Sequence, residues 1–248
     1  MPITSQFLTH GWLFPTLMLT ALVVGLLMSR RRLGKLPLSP RQRLGLSLSA
    51  FCGGMIGSKI PFALADERGP LCSQSWLSDG KTILFGLIGG YVAVEIAKRI
   101  LNIRQKTGDA LVIPIAVAIG IGRWGCFVGG CCYGVETSLP WGVDFGDGIH
   151  RHPTQLYEWL FHWSAAIVLW MCERRDLFPR QRLKLYLASY CVFRFATEFL
   201  RPEPRLAAQL TGYQWVSLCL LPVIALLWWQ DRDAVHDESP ATPSGGQA

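Results

Sequence analysis

The sequence predicts an all-α integral membrane protein, a bundle of seven transmembrane helices. Half of its 248 residues are hydrophobic, the mean hydropathy is +0.29, and only 17% of the residues are charged. The apolar residues occur in repeated blocks of about 17 to 22, which is the length that a helix needs to cross a bilayer. We attribute the net charge of +7 to cytoplasmic loops, and nucleic-acid binding is not predicted.

Seven apolar blocks give the candidate spans. They cover residues 12–29, 44–65, 82–97, 110–129, 155–172, 183–200 and 213–229. The first block is followed directly by Arg30, Arg31 and Arg32. A signal peptide has the reverse order, with its positive charge before the apolar segment, so we expect an uncleaved first span. Residues 1–230 are expected to form one seven-helix domain, and the polar residues 231–248 a disordered cytoplasmic tail.

The positive charges in the loops predict the orientation. Loops on one side of the predicted spans carry 15 Lys and Arg residues, and loops on the other side carry five. Positive residues are enriched on the cytoplasmic side of membrane proteins, and here the bias alternates from loop to loop. The N-terminus is therefore expected outside and the C-terminus inside.

The fourth span contains an arginine, Arg123, in a glycine-rich segment that runs from residue 119 to residue 134. A charge at membrane depth is energetically costly and usually serves a function. The glycines allow helices to pack closely and allow a ligand to approach the backbone. Arg123 is expected near the outer end of its span. There it is a candidate ligand for the phosphate of a phospholipid head group, because its planar donors match phosphate oxygens.

The sixth span carries a polar stripe of Tyr190, Arg194, Glu198 and Arg201, whose spacing places them on one helix face. Two interpretations remain open. Arg194 and Glu198 form an internal structural ion pair, or the stripe belongs to an anion site in the outer leaflet. Two arginines and a tyrosine in a dry site favour a phosphodiester substrate over an ion path.

Three further charged residues, Lys59, Glu95 and Glu158, lie in or near spans, and either snorkelling to the interface or a functional role fits them. The longest outer loop, residues 131–154, contains His152 beside Pro153. Histidine titrates near neutral pH, so His152 is a candidate for acid–base chemistry. The alternative is a hydrogen-bonded loop residue.

Cys126, Cys131 and Cys132 form a C-x4-C-C pattern. This spacing is not that of a zinc ribbon or finger, so no metal and no cofactor are predicted. If the predicted topology holds, Cys131 and Cys132 face an oxidising compartment, where a disulfide with Cys72 is one option. Packing of small residues is the other.

Four segments resemble the prolipoprotein diacylglyceryl transferase family. The run from GRWGCF (122–127) through CCYG (131–134) resembles the family's arginine signature, in a variant with cysteines. PWGV (140–143) and RHPTQLYE (151–158) resemble its outer loop and the start of the next helix. The polar stripe of the sixth span resembles its penultimate helix. The resemblance covers residues 79–201.

The resemblance implies a multi-pass enzyme of the bacterial inner membrane. Such enzymes move diacylglycerol from phosphatidylglycerol to the lipobox cysteine of a preprolipoprotein and release glycerol phosphate. It implies that Arg123 binds the donor phosphate, with Arg194, Glu198 and Arg201 also at that substrate site. Tyr190 and Arg194 are implied as functional residues of the penultimate helix. The implied partners are phosphatidylglycerol, the lipobox segment and membrane lipids.

The sequence also departs from the family. Phe85 stands where the family's His-Gly-Gly motif has a histidine that is commonly assigned to catalysis, and phenylalanine cannot move a proton. His152 is the first candidate to replace that histidine and Tyr190 the second, and the alternative is that the substrate thiolate forms without help. Three hypotheses follow: a prolipoprotein diacylglyceryl transferase, a phosphatidylglycerol-dependent transferase with another acceptor, and a non-catalytic phospholipid-binding membrane protein.

Overall fold

The computed structural model describes residues 12–65 and 82–237, and these residues form seven α-helices. In chain order the helices are α1 (Leu13–Leu33), α2 (Pro40–Ala65), α3 (Ile83–Ile100), α4 (Gly108–Val128), α5 (Thr154–Arg174), α6 (Arg182–Thr197) and α7 (Gly212–Asp237). Each predicted span overlaps one of them. Helix α7 continues past residue 231, where the sequence predicts the tail to begin. Residues 238–248 lie outside the described residues.

Three of the described helices are long and apolar enough to cross a membrane by themselves: α1, α4 and the segment Gly212–Asp231 of α7. The other four are less apolar or shorter. Helix α5 carries Glu158 and Glu173 among polar residues, and α6 has only 16 residues. A charged residue in a membrane helix is tolerated where it faces other helices, so these elements depend on the bundle for their burial.

Ion pairs at one end of the bundle join helices that run in alternating directions. Lys106 Nζ, before α4, lies 2.6 Å from Asp231 Oδ1 of α7. Arg182 Nη1, at the start of α6, lies 3.5 Å from Asp109 Oδ2, at the start of α4. Arg32, near the end of α1, pairs with Glu173, near the end of α5. The loops that the charge count predicts to be cytoplasmic therefore share one end of the bundle.

Helices α2 and α3 pack through glycines. A Cβ atom at Gly53 would lie 2.3 Å from the Cβ of Ala93 and 2.5 Å from the carbonyl oxygen of Gly89. A Cβ at Gly57 would lie 2.4 Å from the carbonyl oxygen of Phe85. These distances are shorter than van der Waals contact, so only glycine permits the two backbones to approach this closely.

Helix α4 lies between α1 on one side and α5 on the other. Its buried residues include Val112 and Ala116, which pack with Leu169 of α5 and Tyr186 of α6. The last turns of the helix bury Arg123. Because α4 is central, it carries this arginine to the end of the bundle opposite the ion pairs described above.

The connection from α4 to α5 closes that end of the bundle. It contains a two-stranded antiparallel ribbon, β1 (Val143–Asp144) and β2 (His150–Arg151). The chain leaves α4 through Gly130, at φ +61°, and Cys132, at φ +64°. The left-handed conformation suits glycine but is strained for cysteine. Two side chains at the start of α5 hold this turn: Thr154 Oγ1 donates to the Cys132 carbonyl at 2.7 Å, and Gln155 Nε2 donates to the Cys131 carbonyl at 2.6 Å.

The close α2–α3 contact predicts the effect of adding one methyl group. We expect Gly53→Ala to lower the free energy of unfolding by about 1 to 3 kcal/mol, because the new Cβ overlaps α3. Gly54→Ala is the matched control on the same helix, since the nearest atom to its Cβ would be the Gly86 carbonyl oxygen at 3.6 Å. Denaturant unfolding in detergent micelles measures both. Equal stability of the two variants would contradict the packing described here.

Candidate anion-binding site

Three arginines from different parts of the chain converge on one carboxylate, that of Glu158 on α5. Arg123 Nε of α4 lies 2.5 Å from Glu158 Oε2. Arg194 Nη1 of α6 lies 3.1 Å from Glu158 Oε1, and Arg201 Nη2, just after α6, lies 2.6 Å from the same oxygen. The Glu158 side chain is 1% exposed. A buried carboxylate is stable only with such partners, so these contacts fix the relative positions of α4, α5 and α6.

A second carboxylate, Glu198, supports Arg194 from the other side. Arg194 Nη2 lies 2.7 Å from Glu198 Oε2, one helical turn away. Thr211 Oγ1, at the start of α7, donates to Glu198 Oε1 at 3.0 Å. Arg194 is therefore held between two carboxylates, and the predicted pair with Glu198 is present alongside the contact to Glu158.

The arginine cluster, which we define as Arg123, Glu158, Arg194, Glu198 and Arg201, carries one net positive charge. Three guanidinium groups are balanced by only two carboxylates. Each guanidinium has five N–H donors, and the two carboxylates use few of them. Arg201 Nε is buried and has no hydrogen-bond partner among the described residues. The cluster therefore has spare hydrogen-bond donors for an anion.

A cavity of about 210 Å³ borders the cluster. All three arginines line it, together with residues from α2, α3, α6, α7 and the turn after α4. Its other polar lining residues are Thr82, Cys132, Tyr133, Tyr190, Glu203 and Tyr213. An anion that enters this cavity would meet guanidinium groups on a surface partly shielded from water, where charge interactions are stronger than in bulk solvent.

Aromatic rings pack around the arginines. The Arg194 guanidinium lies over the Tyr213 ring, with its carbon 5.0 Å from the ring centroid. The Phe85 ring contacts the Tyr213 ring edge-on, with the two ring centroids 6.3 Å apart. Tyr190 is 1% exposed and still lines the cavity. Phe85 therefore helps to position Tyr213, which stacks on Arg194, and supplies no proton-transfer group.

His152 lies apart from the cavity. Among the residues that the structure describes, those lining the cavity do not include His152. Its Nδ1 lies 3.2 Å from the Tyr157 hydroxyl, which also accepts a hydrogen bond from Trp141 Nε1 at 2.9 Å. This geometry matches the alternative interpretation of a hydrogen-bonded loop residue. The structure does not bring His152 together with Arg123 and Arg194.

The three cysteines predicted as a group do come together. The sulfur atoms of Cys126, Cys131 and Cys132 all lie within 4.8 Å of one another, and all three are free thiols. Hydrogen bonds with Cys126 and Cys131, together with the charges of Arg123 and Arg201, lower the pKa of the Cys132 thiol well below its usual value. Cys72, the alternative disulfide partner, lies outside the described residues.

The sequence named four of the five residues of the arginine cluster and left Glu158 undecided. The Glu158 side chain does not snorkel, because it is buried among the arginines. Lys59 is also buried, whereas Glu95 is half-exposed and pairs with Lys98 at 3.0 Å. One signal was present for Glu158: an acidic residue one turn into an apolar helix, in a chain with three arginines at the same predicted depth.

Comparison with known proteins identifies relatives that share most of this chain. The model of the family described as prolipoprotein diacylglyceryl transferase matches residues 12–230. A phosphatidylglycerol–prolipoprotein diacylglyceryl transferase of Clostridium tetani is 32% identical over 203 residues, covering 75% of this chain and 80% of the relative. The enzyme of the same name from Clostridioides difficile is 30% identical over 207 residues, covering 82% and 83%.

The contacts of Glu158 predict a large loss of stability on neutralising it. We expect Glu158→Gln to lower the free energy of unfolding by about 3 to 5 kcal/mol, because three buried guanidinium groups lose their shared counter-charge. Glu95→Gln, on α3, is the control. It removes a partly exposed pair, which contributes about 0 to 1 kcal/mol. Thermal unfolding of both variants in detergent tests this, and an unchanged transition for Glu158→Gln would rule out the role given to the carboxylate.

Proposed function

Because the chain belongs to the prolipoprotein diacylglyceryl transferase family, we propose that it acts on the substrates of its named relatives. It transfers the diacylglyceryl group of phosphatidylglycerol to the lipobox cysteine thiol of a prolipoprotein and releases glycerol phosphate. In this proposal it is a multi-pass protein of the bacterial inner membrane. The N-terminus is outside, so the arginine cluster lies at the outer leaflet.

The observation that carries the proposal is the set of three guanidinium groups that line one cavity. The phosphodiester of phosphatidylglycerol carries one negative charge, and guanidinium groups are the side-chain donors that best match phosphate oxygens. Arg123 and Arg194 line the cavity and each keeps donors that its carboxylate partners do not use. Arg201 also lines the cavity, and its Nε is buried without a partner among the described residues.

The positive charge of the guanidinium groups also serves the reaction. The acceptor sulfur forms a bond to the terminal glyceryl carbon, the bond from that carbon to the phosphate oxygen breaks, and the electron pair leaves with the phosphate. Negative charge therefore increases on the phosphate during the reaction. Fixed guanidinium groups at that position stabilise the transition state more than the bound donor, which is the requirement for catalysis.

The thiol must lose its proton, because the thiolate is the nucleophile. Of the two residues that the sequence suggests for this step, Tyr190 lines the cavity and His152 binds Tyr157 outside it. We therefore assign Tyr190 to the reaction site, where its hydroxyl is available to hydrogen-bond a substrate oxygen or relay a proton. His152 is assigned to the support of the outer loop.

One observation favours a second candidate function. Phe85 replaces the histidine that the family resemblance leads one to expect, so the resemblance does not fix the lipobox cysteine as the acceptor of this chain. A phosphatidylglycerol-dependent transferase with another acceptor uses the same donor site. Labelled phosphatidylglycerol, incubated with purified protein and a lipobox peptide, separates the two. Peptide lipidation supports the first function, release of glycerol phosphate without peptide lipidation supports the second, and no release contradicts both.

We predict that removing one arginine of the cluster impairs turnover of the phosphatidylglycerol donor. We expect Arg123→Ala to reduce the release of glycerol phosphate by about 100- to 1,000-fold, the effect of deleting a donor that stabilises transition-state charge. Arg205→Ala is the matched control, because Arg205 is exposed and donates only to the Gln209 carbonyl at 3.2 Å in the described contacts. Normal turnover by Arg123→Ala would refute the proposed donor site.

The two candidates for the proton step predict opposite results. Tyr190→Phe removes a hydroxyl from the cavity wall and is expected to lower kcat about 100-fold, the lower end of the range for a positioned proton-transfer group. His152→Ala is expected to leave kcat within about three-fold of the parent, since the imidazole lies outside the cavity. Steady-state lipidation of a peptide measures both, and the reverse order would return the role to His152.

A further inference from the structure

We propose that Cys126, Cys131 and Cys132 bind a divalent thiophilic cation of the Zn²⁺ type, whose open coordination position takes the acceptor thiol as a thiolate. The first half of this proposal concerns only this chain. The second half rests on the proposed function, because it assigns the acceptor to the lipobox cysteine.

The positions of the three sulfur atoms fit such a cation. All lie within 4.8 Å of one another. A tetrahedral Zn²⁺ with bonds of about 2.3 Å to sulfur requires sulfur atoms about 3.8 Å apart. Side-chain rotations that move the sulfur atoms by about one ångström or less close that difference. The C-x4-C-C spacing does not match zinc fingers or ribbons, but the turn after α4 brings the three thiols to one point.

The backbone of that turn is held in a strained conformation. Cys132 adopts φ +64°, which costs a non-glycine residue of order 1 kcal/mol or more and persists only where neighbours enforce it. The enforcing contacts are the hydrogen bonds from Thr154 to the Cys132 carbonyl and from Gln155 to the Cys131 carbonyl. Thr154 and Gln155 are both buried, so the turn is rigid. Strain of this kind concentrates at binding sites, because it fixes side-chain directions.

A guanidinium group beside the three sulfur atoms favours their thiolate form. The three cysteines adjoin the arginine cluster. Arg123 joins the two groups directly, because its Nη1 lies 3.7 Å from Cys126 Sγ while its Nε contacts Glu158. A guanidinium that donates to a metal-bound sulfur stabilises the thiolate form of the ligand.

The fourth position faces the reaction site. Cys132 lines the same cavity as Arg123, Arg194 and Tyr190, so a cation on its sulfur has its open side toward the donor phosphate. Zinc sites that act in catalysis keep three protein ligands and one open position. A thiol that binds there loses its proton to solvent, because a coordinated thiol is deprotonated.

The step then balances without a dedicated protein base. The bound acceptor sulfur forms its bond to the terminal glyceryl carbon, and the carbon–oxygen bond to phosphate breaks. The phosphate departs with the electron pair toward the arginine cluster. The product is a neutral thioether, a weaker ligand than the thiolate, so it leaves the cation. This accounts for a functional site in which Phe85 replaces the histidine.

Cadmium titration tests the metal site independently of any substrate. Purified full-length protein, reduced and freed of metal, is titrated with Cd²⁺ while thiolate-to-metal charge transfer is followed in the near ultraviolet. We expect one equivalent to bind with a band typical of three thiolates. Cys132→Ser and Cys131→Ser should each lose tight binding, and Cys219→Ser, an exposed cysteine of α7, should retain it. The proposal is overturned if no charge-transfer band depends on these three cysteines, or if the native protein has a disulfide among them.

A cobalt-loaded protein tests the open position. A lipobox peptide with cysteine should intensify the sulfur-to-cobalt band as a fourth thiolate binds, and the same peptide with serine should leave the band unchanged. Equal spectra with the two peptides overturn the acceptor half of the proposal. This readout requires no turnover, so it separates the metal site from the proposed transferase activity.

The last experiment measures peptide lipidation with and without bound metal. Lipidation should fall at least ten-fold after removal of bound metal with a chelator and should return with Zn²⁺. Arg123→Ala, by contrast, should lose turnover while it still binds Cd²⁺. Full lipidation by metal-free protein contradicts the role of the cation. Absence of turnover in every zinc-loaded sample contradicts the proposed function, and in that case the acceptor half falls with it.

Discussion

The functional end of this protein depends on the carboxylate of Glu158. It is the shared counter-charge for guanidinium groups from α4, α6 and the segment after α6, at distances between 2.5 and 3.1 Å. Three buried arginines would repel one another without it. An apolar residue in place of Glu158 would leave the three guanidinium groups without their shared counter-charge. One glutamate among three arginines, with Glu198 behind Arg194, leaves the cluster able to bind an anion.

Contacts elsewhere in the bundle position the residues around Glu158 and the cavity. The glycine contacts of α2 and α3 bring the start of α3, with Thr82 and Leu84, to the cavity wall. Ion pairs at the opposite end join the segment before α4 to α7 and the start of α6 to the start of α4. The turn after α4 places Cys132 beside Arg123, and Thr154 and Gln155 hold that turn from the helix that carries Glu158. Residues distant in the chain therefore meet because rigid helices determine where their ends lie.

Much of this arrangement is predictable from the sequence, because each element carries a local signal. Apolar blocks gave seven helices, and helical spacing grouped Tyr190, Arg194, Glu198 and Arg201. What local patterns do not contain is the partner of a charge on another helix. Glu158 was therefore left between snorkelling and function, and His152 was favoured for its chemistry although its ring binds Tyr157 outside the cavity. The convergence of three cysteines likewise depends on a positive φ at Cys132 that sequence spacing does not reveal.

The central claim, that the arginine cluster binds an anionic phospholipid head group, is tested most directly by lipid binding in nanodiscs. Phosphatidylglycerol and diacylglycerol with the same acyl chains differ only by the head group that the cluster would recognise. The account predicts that native mass spectrometry detects retained phosphatidylglycerol on the parent protein and on Arg205→Ala, and little on Arg123→Ala. Equal retention of the two lipids by the parent protein, or undiminished retention of phosphatidylglycerol by Arg123→Ala, would contradict it.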